Sequence, residues 1–544
     1  METQRHDVIV MGGGLAGLTL ALQLRQRMPG LDVLVLERRR HPVPAATHKV
    51  GESTVEIGAH YLDTVLGLKD HLTTCQLKKF GFRFFFSEGR DDIDMVLELG
   101  ASRYLSTPGY QIDRGLFENH LGVVARASGV RFVDGAAIRG FALAAEGRLH
   151  EVSYEHDGKM RTAASCWLID ASGRAGLVKR RLGLTQDNGH AANAAWFRIG
   201  ARIDVNDWSQ RAEWLARCTP PDRWLSTNHL VGPGYWVWLI PLASGSHSVG
   251  IVADSHLHPS ETLDNFDKAM AWLTAHQPRL ARELEGKRHL LQDFAYLRRF
   301  SYGCRQLFSG SGRWALTGEA GVFLDPFYSP GSDFIAIANT YICALIEAER
   351  AGQPVEKHAR IYERFFLSFY ESTLALYAGQ YPIFGDPRVL PVKVIWDYAY
   401  YWGVLCQLFF QRRLTDIPAL TRVREELTGS QALNLAMQRF LSRWAQVSRA
   451  SNPAAMLDQA SLDWFAELNR GLRDPLDDVG FQQRMQDTTR QLRTLAGEIV
   501  QLAQADDANL DASEIVQLTG VTHLGVHLLA AVRDLARGPC AAAR

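Results

Sequence analysis

A chain of 544 residues with 59 basic and 59 acidic side chains is long enough to bury more than one core, and its balanced charge lacks a long basic stretch or basic-aromatic alternation, which excludes a dedicated nucleic-acid binder. The seven cysteines, at positions 75, 166, 218, 304, 343, 406 and 540, are scattered and form no C-x-x-C pair or Cys/His cluster. Neither a metal site nor a disulfide framework is expected, and a reducing cytoplasm is the default compartment.

The N-terminus runs at once into a predicted strand, Asp7-Val8-Ile9-Val10-Met11, so no signal peptide is expected. Gly12-Gly13-Gly14-Leu15-Ala16-Gly17 follows, then a helix start at Leu18-Thr19-Leu20-Ala21-Leu22. Gly12 permits the tight turn, Gly14 lets a pyrophosphate approach the backbone, and Gly17 lets the helix lie close to the strand. The anion then meets the free N–H groups of the helix N-terminus. A second strand, Val33-Leu34-Val35-Leu36, ends at Glu37, about twenty residues past Gly17, where a carboxylate is placed for ribose hydroxyls. Strand, loop, helix and acid together predict dinucleotide binding. Arg38-Arg39-Arg40 is most simply a solvated edge, with a contact at the adenosine end as the other reading.

Further along, Trp167-Leu168-Ile169-Asp170-Ala171-Ser172-Gly173-Arg174 and Trp314-Ala315-Leu316-Thr317-Gly318-Glu319-Ala320-Gly321 each read as a strand running into a small-residue turn. With the glycine loop they favour FAD over NAD. Between them, Gly234-Tyr235-Trp236-Val237-Trp238-Leu239-Ile240-Pro241 sets two indoles on one face of a predicted strand, a rigid aromatic wall or, taken alone, ordinary core. After Gly331 the pattern turns helical through Phe334–Ile346, and the remainder to Arg544 has few strand-like runs. Val394–Phe410 is strongly apolar but contains Asp397 and Gln407, so it reads as a core helix rather than a membrane span, with its Trp and Tyr residues as the alternative lining of an aromatic groove.

Five motifs carry a resemblance to the flavin-dependent halogenases, a branch of the FAD monooxygenase superfamily. They are the glycine loop, His48-Lys49-Val50-Gly51-Glu52-Ser53, Tyr110-Gln111-Ile112-Asp113-Arg114, the Asp-Ala-Ser-Gly turn at 170–173 and the WxWxIP run from Trp236 to Pro241. A sixth, Phe323-Leu324-Asp325-Pro326-Phe327-Tyr328-Ser329-Pro330-Gly331, fits the family pattern FxxPxxSxG, so the resemblance spans residues 7–331. It implies an α/β fold with an FAD-binding Rossmann-like βαβ module interleaved with a β-sheet substrate layer over 1–347. A helical C-terminal region over 348–544 follows. Gly12, Gly14, Gly17, Glu37, Arg38, Glu52, Ser53, Arg114, Asp170, Gly318, Glu319 and Gly331 are the expected FAD-binding residues.

By the same resemblance, reduced FAD and oxygen convert chloride or bromide to hypohalous acid, which travels through a tunnel to a lysine beside the substrate. Lys79 fits that lysine best, because Gly81 and Phe84 follow at the family's spacing; Lys78 is the alternative, and a solvated lysine pair is the bland reading. Trp236 and Trp238 are expected to block direct oxygen transfer, and Ser329 belongs to the halide loop. Three departures narrow the expectation. Tyr328 stands where the tryptophan-halogenating branch has Glu, which points to phenolic or carrier-bound aromatic substrates; Pro330 has no N–H for a halide; and Glu319 replaces the usual Asp. A separate flavin reductase is the expected partner, since no second nucleotide loop of like quality occurs, and a homodimer is implied by resemblance only. A flavin hydroxylase or epoxidase on the same scaffold is the alternative, with a non-catalytic flavin-binding protein as the third class.

Overall fold

Continuous apolar runs suit parallel strands covered on both faces, and in the computed structural model Val8–Met11 and Val33–Leu36 are almost wholly inaccessible. The structure describes residues 4–46, 50–144, 147–449, 451–520 and 527–537, so His48, Lys49 and Cys540 lie outside the described residues. The chain forms two units from alternating segments: 1–76, 112–189 and 301–370 make the first, and 77–111, 190–300 and 371–544 the second.

In the first unit the main sheet runs Phe308–Ser309, Trp314–Leu316, Lys159–Asp170, Gln4–Met11, Val33–Glu37, Arg131–Asp134. All neighbours after the first pair are parallel, with Met11 beside both Asp170 and Leu36, and Asp170 beside Leu316. Their carboxyl ends therefore finish on one edge, the place where open α/β sheets bind ligands. Helix Leu15–Arg27 and helix Gly331–Arg350 are joined through Asn339, whose amide donates to Thr19 Oγ1 at 3.1 Å and accepts from Thr317 Oγ1 at 2.7 Å.

The second unit holds an eight-stranded sheet, ordered Leu291–Leu297, Ala192–Ile199, His247–Asp254, Tyr235–Pro241, Thr227–Gly232, Phe82–Phe85, Glu98–Gly100, Met456–Asp458. Alternation decides its faces. Tyr235, Val237 and Leu239 enter a core with Phe197, Ile251 and the helices Phe266–His276 and Pro278–Glu285. Trp236 and Trp238 take the other face. The C-terminal region is helical, as expected, but lends Met456–Asp458 to the sheet edge beside Glu98–Gly100, a pairing too short to show in any sequence pattern. Residues 389–410 form a buried helix whose centre, Tyr401–Cys406, widens to a π turn. Among the described residues no helix is long and apolar enough to cross a membrane.

Candidate active site

The glycine loop is shaped by backbone contact. Gly12 sits at φ +118°, where a Cβ would lie 2.2 Å from the Ala171 carbonyl oxygen, and a Cβ on Gly17 would lie 1.9 Å from the Gly12 oxygen. Only glycine fits either position. Before Gly14 the space is open, the nearest atom to a built Cβ being Glu118 Oε1 at 3.9 Å. The helix starting at Leu15 has no side-chain cap and no acidic residue in its first turn, so its N–H groups suit an anion. Glu37, at the end of the next strand, accepts from Gly13 N at 2.7 Å and Arg39 N at 2.9 Å. These features fit the pyrophosphate and adenosine of FAD.

The other cofactor motifs reach the same sheet edge. Asp170 is fully buried; it accepts from Ser172 N at 3.0 Å and Val178 N at 2.7 Å, and thus fixes its own turn. Gly318, at φ +61°, abuts Ala16 at the helix start, where a Cβ would come within 2.9 Å of the alanine methyl. Burial raises the Glu319 carboxyl above its ordinary range against the pull of Arg174, Arg114 and Lys179. Glu52 and Ser53 are buried, the Glu52 carbonyl accepts from Ile112 N at 2.5 Å, and Arg114 donates to Val50 O at 2.6 Å. Arg38 is exposed. Ser329 adopts a left-handed conformation, φ 52°, immediately before Pro330, the capping residue of the Gly331–Arg350 helix; a Cβ on Gly331 would meet nothing within 4 Å.

Lys79, Trp236 and Trp238 belong to the second unit. The short strand Leu77–Lys79 pairs with Gly109–Gln111 and turns its two lysines apart. Lys78 is exposed, its ammonium 4.5 Å from the Tyr104 ring centroid. Lys79 is only 5 % exposed and its ammonium lies 3.3 Å from the centroid of Phe82, in cation–π range. From Phe82 an aromatic row continues on the same sheet face: His229 at 5.3 Å, stacked on Phe84 at 4.6 Å, then Trp236 at 5.2 Å and Trp238 at 5.5 Å. Both indole N–H groups are held, Trp236 by Tyr381 Oη at 3.3 Å and Trp238 by Ser248 Oγ at 3.1 Å. Gly250, directly across from Trp238, leaves the space its six-membered ring fills.

Sequence reasoning missed two participants. Lys179 donates to the Gly321 carbonyl at 2.9 Å and lies 3.8 Å from the Tyr302 ring centroid, clamping the Gly318–Gly321 turn; burial brings its ammonium down to about 8. His229 is fully buried, its Nδ1 3.1 Å from the Thr227 carbonyl oxygen. Neither belongs to a motif, though a lone His inside an apolar strand pattern was a usable signal.

A family model described as FAD binding domain matches residues 5–289. The flavin-dependent halogenase chlA of Dictyostelium discoideum is 25 % identical over 469 residues, spanning 78 % of this chain and 76 % of that one. The 1H-pyrrole-2-carbonyl-(peptidyl-carrier protein) brominase of Pseudoalteromonas luteoviolacea is 26 % identical over 344 residues, 61 % of this chain and 75 % of its own. The chain belongs to the FAD-binding family and, within it, to the flavin-dependent halogenases. The crystal structure of halogenase PltM covers 94 % of this halogenase and 99 % of its own chain at 18 % identity and TM-score 0.63, a likeness of fold. The halogenase is thus an FAD-dependent oxidoreductase. Because Gly17 touches the loop backbone, Gly17→Ala in this halogenase is expected to weaken FAD by about tenfold or more, in line with overpacking costs of ~1–3 kcal/mol. Flavin absorbance retained after gel filtration at the wild-type level would contradict it.

Proposed function

We propose that this halogenase makes hypohalous acid from oxygen and chloride or bromide, and passes the halogen through Lys79 to an electron-rich aromatic substrate, phenolic or carrier-bound. Bound reduced FAD supplies the activation of oxygen. The chain's own residues hold it at Gly12, Gly14, Gly17 and Glu37, and Ser329 and Gly331 belong to the halide loop. A separate flavin reductase, a cytoplasmic setting and a homodimer complete the reading. The observation that carries it is the burial of Lys79 against Phe82, at one end of the aromatic row that includes Trp236 and Trp238. An amine held away from bulk water can hydrogen-bond hypohalous acid, and in its neutral form it can accept halogen as a haloamine.

Protein supplied with FAD, a flavin reductase, NADH, oxygen and bromide is expected to yield products with the halogen isotope pattern from a phenolic panel, read by mass spectrometry. A single added oxygen instead would favour the hydroxylase. Replacing Trp236 and Trp238 together by Ala is expected to lower halogenation and let an oxygenated product appear. Since each large-to-small change costs roughly 3–5 kcal/mol of stability, a double Phe variant serves as the folded control. Unaltered halogenation without any oxygenation in both variants would defeat the proposed role of the indoles.

A further inference from the structure

A backbone N–H can only donate, so a buried one fixes the orientation of the side chain that receives it. Asp113 is fully buried and opens the helix Arg114–Ala127; its N–H donates at 2.8 Å to Oε1 of Gln76, itself buried just past the helix Lys69–Cys75. The Gln76 amide is thereby set, with Nε2 facing Nε2 of His71 at 3.1 Å. An amide nitrogen only donates, so His71 must accept, and only a neutral imidazole with its proton on Nδ1 does so.

The surroundings of His71 keep it in that form. It stacks face to face on His120, with ring centroids 3.8 Å apart and 10° between planes, and Phe117 lies at 5.5 Å. Burial, then His120, bring the His71 imidazole down to about 4, and burial lowers His120 as well. His120 and Phe117 stand on the helix that Asp113 opens, so ring and amide brace one element at two places.

That element starts with Arg114. Its guanidinium donates to Val50 O at 2.6 Å and to Glu118 Oε1 at 2.6 Å, and the same Oε1 is the nearest atom to a Cβ built on Gly14 of the glycine loop. Ile112, one residue before Asp113, is tied to the Glu52 carbonyl at 2.5 Å. All of these groups belong to the first unit.

We propose that Gln76 is a positioning residue for Arg114 in the cofactor site and that neutral His71 orients it; the proposal rests on the cofactor role that the family resemblance implies for Arg114, and adds the residues that set it. An imidazolium offers no acceptor in any orientation. On protonation of His71 at Nε2, donor faces donor; turning the amide over satisfies His71 but presents NH2 to the Asp113 N–H. Either way a buried N–H loses its partner.

The FAD dissociation constant of the full-length holoenzyme, read by flavin fluorescence on dilution near neutral pH, is expected to rise about tenfold in Gln76→Leu, which removes the acceptor of Asp113 N–H. Gln76→Glu accepts from Asp113 N and from a protonated or Nε2–H His71, and is expected to stay within about threefold of wild type. His71 is followed by NMR of isotope-labelled histidine, with His71→Gln identifying its signal. It is expected to remain neutral to about pH 5 in wild type and to titrate above about 6.5 in Gln76→Glu, where a carboxylate favours its charged form. Simple packing by Gln76 would leave that titration unmoved. Wild-type affinity in Gln76→Leu, or the same His71 titration in wild type and Gln76→Glu, overturns the proposal. Should Gln76→Leu not fold, His71→Phe, which keeps a ring on His120 but removes the acceptor, takes its place with a several-fold loss expected and wild-type affinity as the overturning result. Arg114→Ala is the reference: if it binds FAD like wild type, the role of Arg114 fails and the proposal with it; if it binds weakly while Gln76→Leu does not, only the positioning role fails.

Discussion

Replacing Lys79 by Ala is expected to abolish halogenated product, a loss of at least about a hundredfold, while FAD stays bound and hypohalous acid is still trapped in solution. The reason lies in the divergent surroundings of two adjacent amines. Lys78 is exposed and touches the face of Tyr104, whereas Lys79 is buried on Phe82 in a row of aromatic rings that excludes water. Lys78→Ala is therefore expected to change the rate less than twofold, an internal control for surface charge. Lys79→Arg keeps the charge, but its guanidinium cannot deprotonate or form the haloamine, so it is expected to be as inactive as the Ala variant. Product from Lys79→Ala at the wild-type rate would remove the amine from the mechanism. Retained FAD with lost product would separate oxidant formation from halogen transfer, the distinction the proposal needs.

Glu98→Gln is expected to destabilise the protein by about 3–5 kcal/mol, a large share of the ~5–15 kcal/mol typical of a folded domain. Glu98 lies between Arg83 and Arg223, and all three side chains are inaccessible to water. Arg223 Nε donates to its carboxylate at 2.8 Å, Arg83 pairs with the same oxygen, and further guanidinium N–H groups reach the carbonyls of Ala101 at 2.6 Å and Trp214 at 2.7 Å and the side chains of Ser226 and Asn206. With a neutral amide in place of the anion, two guanidinium ions remain buried without a counter-charge. Urea denaturation followed by circular dichroism measures the loss, and a change below about 0.5 kcal/mol would show the triad to be unimportant. The effect extends to the site. Arg83 alternates with Phe82 and Phe84 in one strand, so the triad anchors from one face the strand whose other face carries those two rings.

The shape of the glycine loop was legible because its constraints are local. Gly12 and Gly17 are required by backbone atoms a few residues away or on the adjoining strand, and the buried strands advertise themselves as unbroken apolar runs. The alternation of Trp236 and Trp238 likewise set their common face in advance. Family likeness, rather than periodicity, singled out Lys79 from a pair that spacing alone leaves undecided.

What folding added depends on partners far apart in the chain. Glu98 gains its meaning from Arg223, 125 residues away, and Met456–Asp458 becomes a strand only because Glu98–Gly100 offers it an edge. The desolvation of Lys79 and the stacking of His229 on Phe84 are properties of a surrounding shell, which no window of sequence contains. The order of residues dictated the backbone geometry of the glycine loop, because steric and hydrogen-bond rules act over short range. Only tertiary packing decided which polar groups lost their water, because desolvation is set by whatever closes over them.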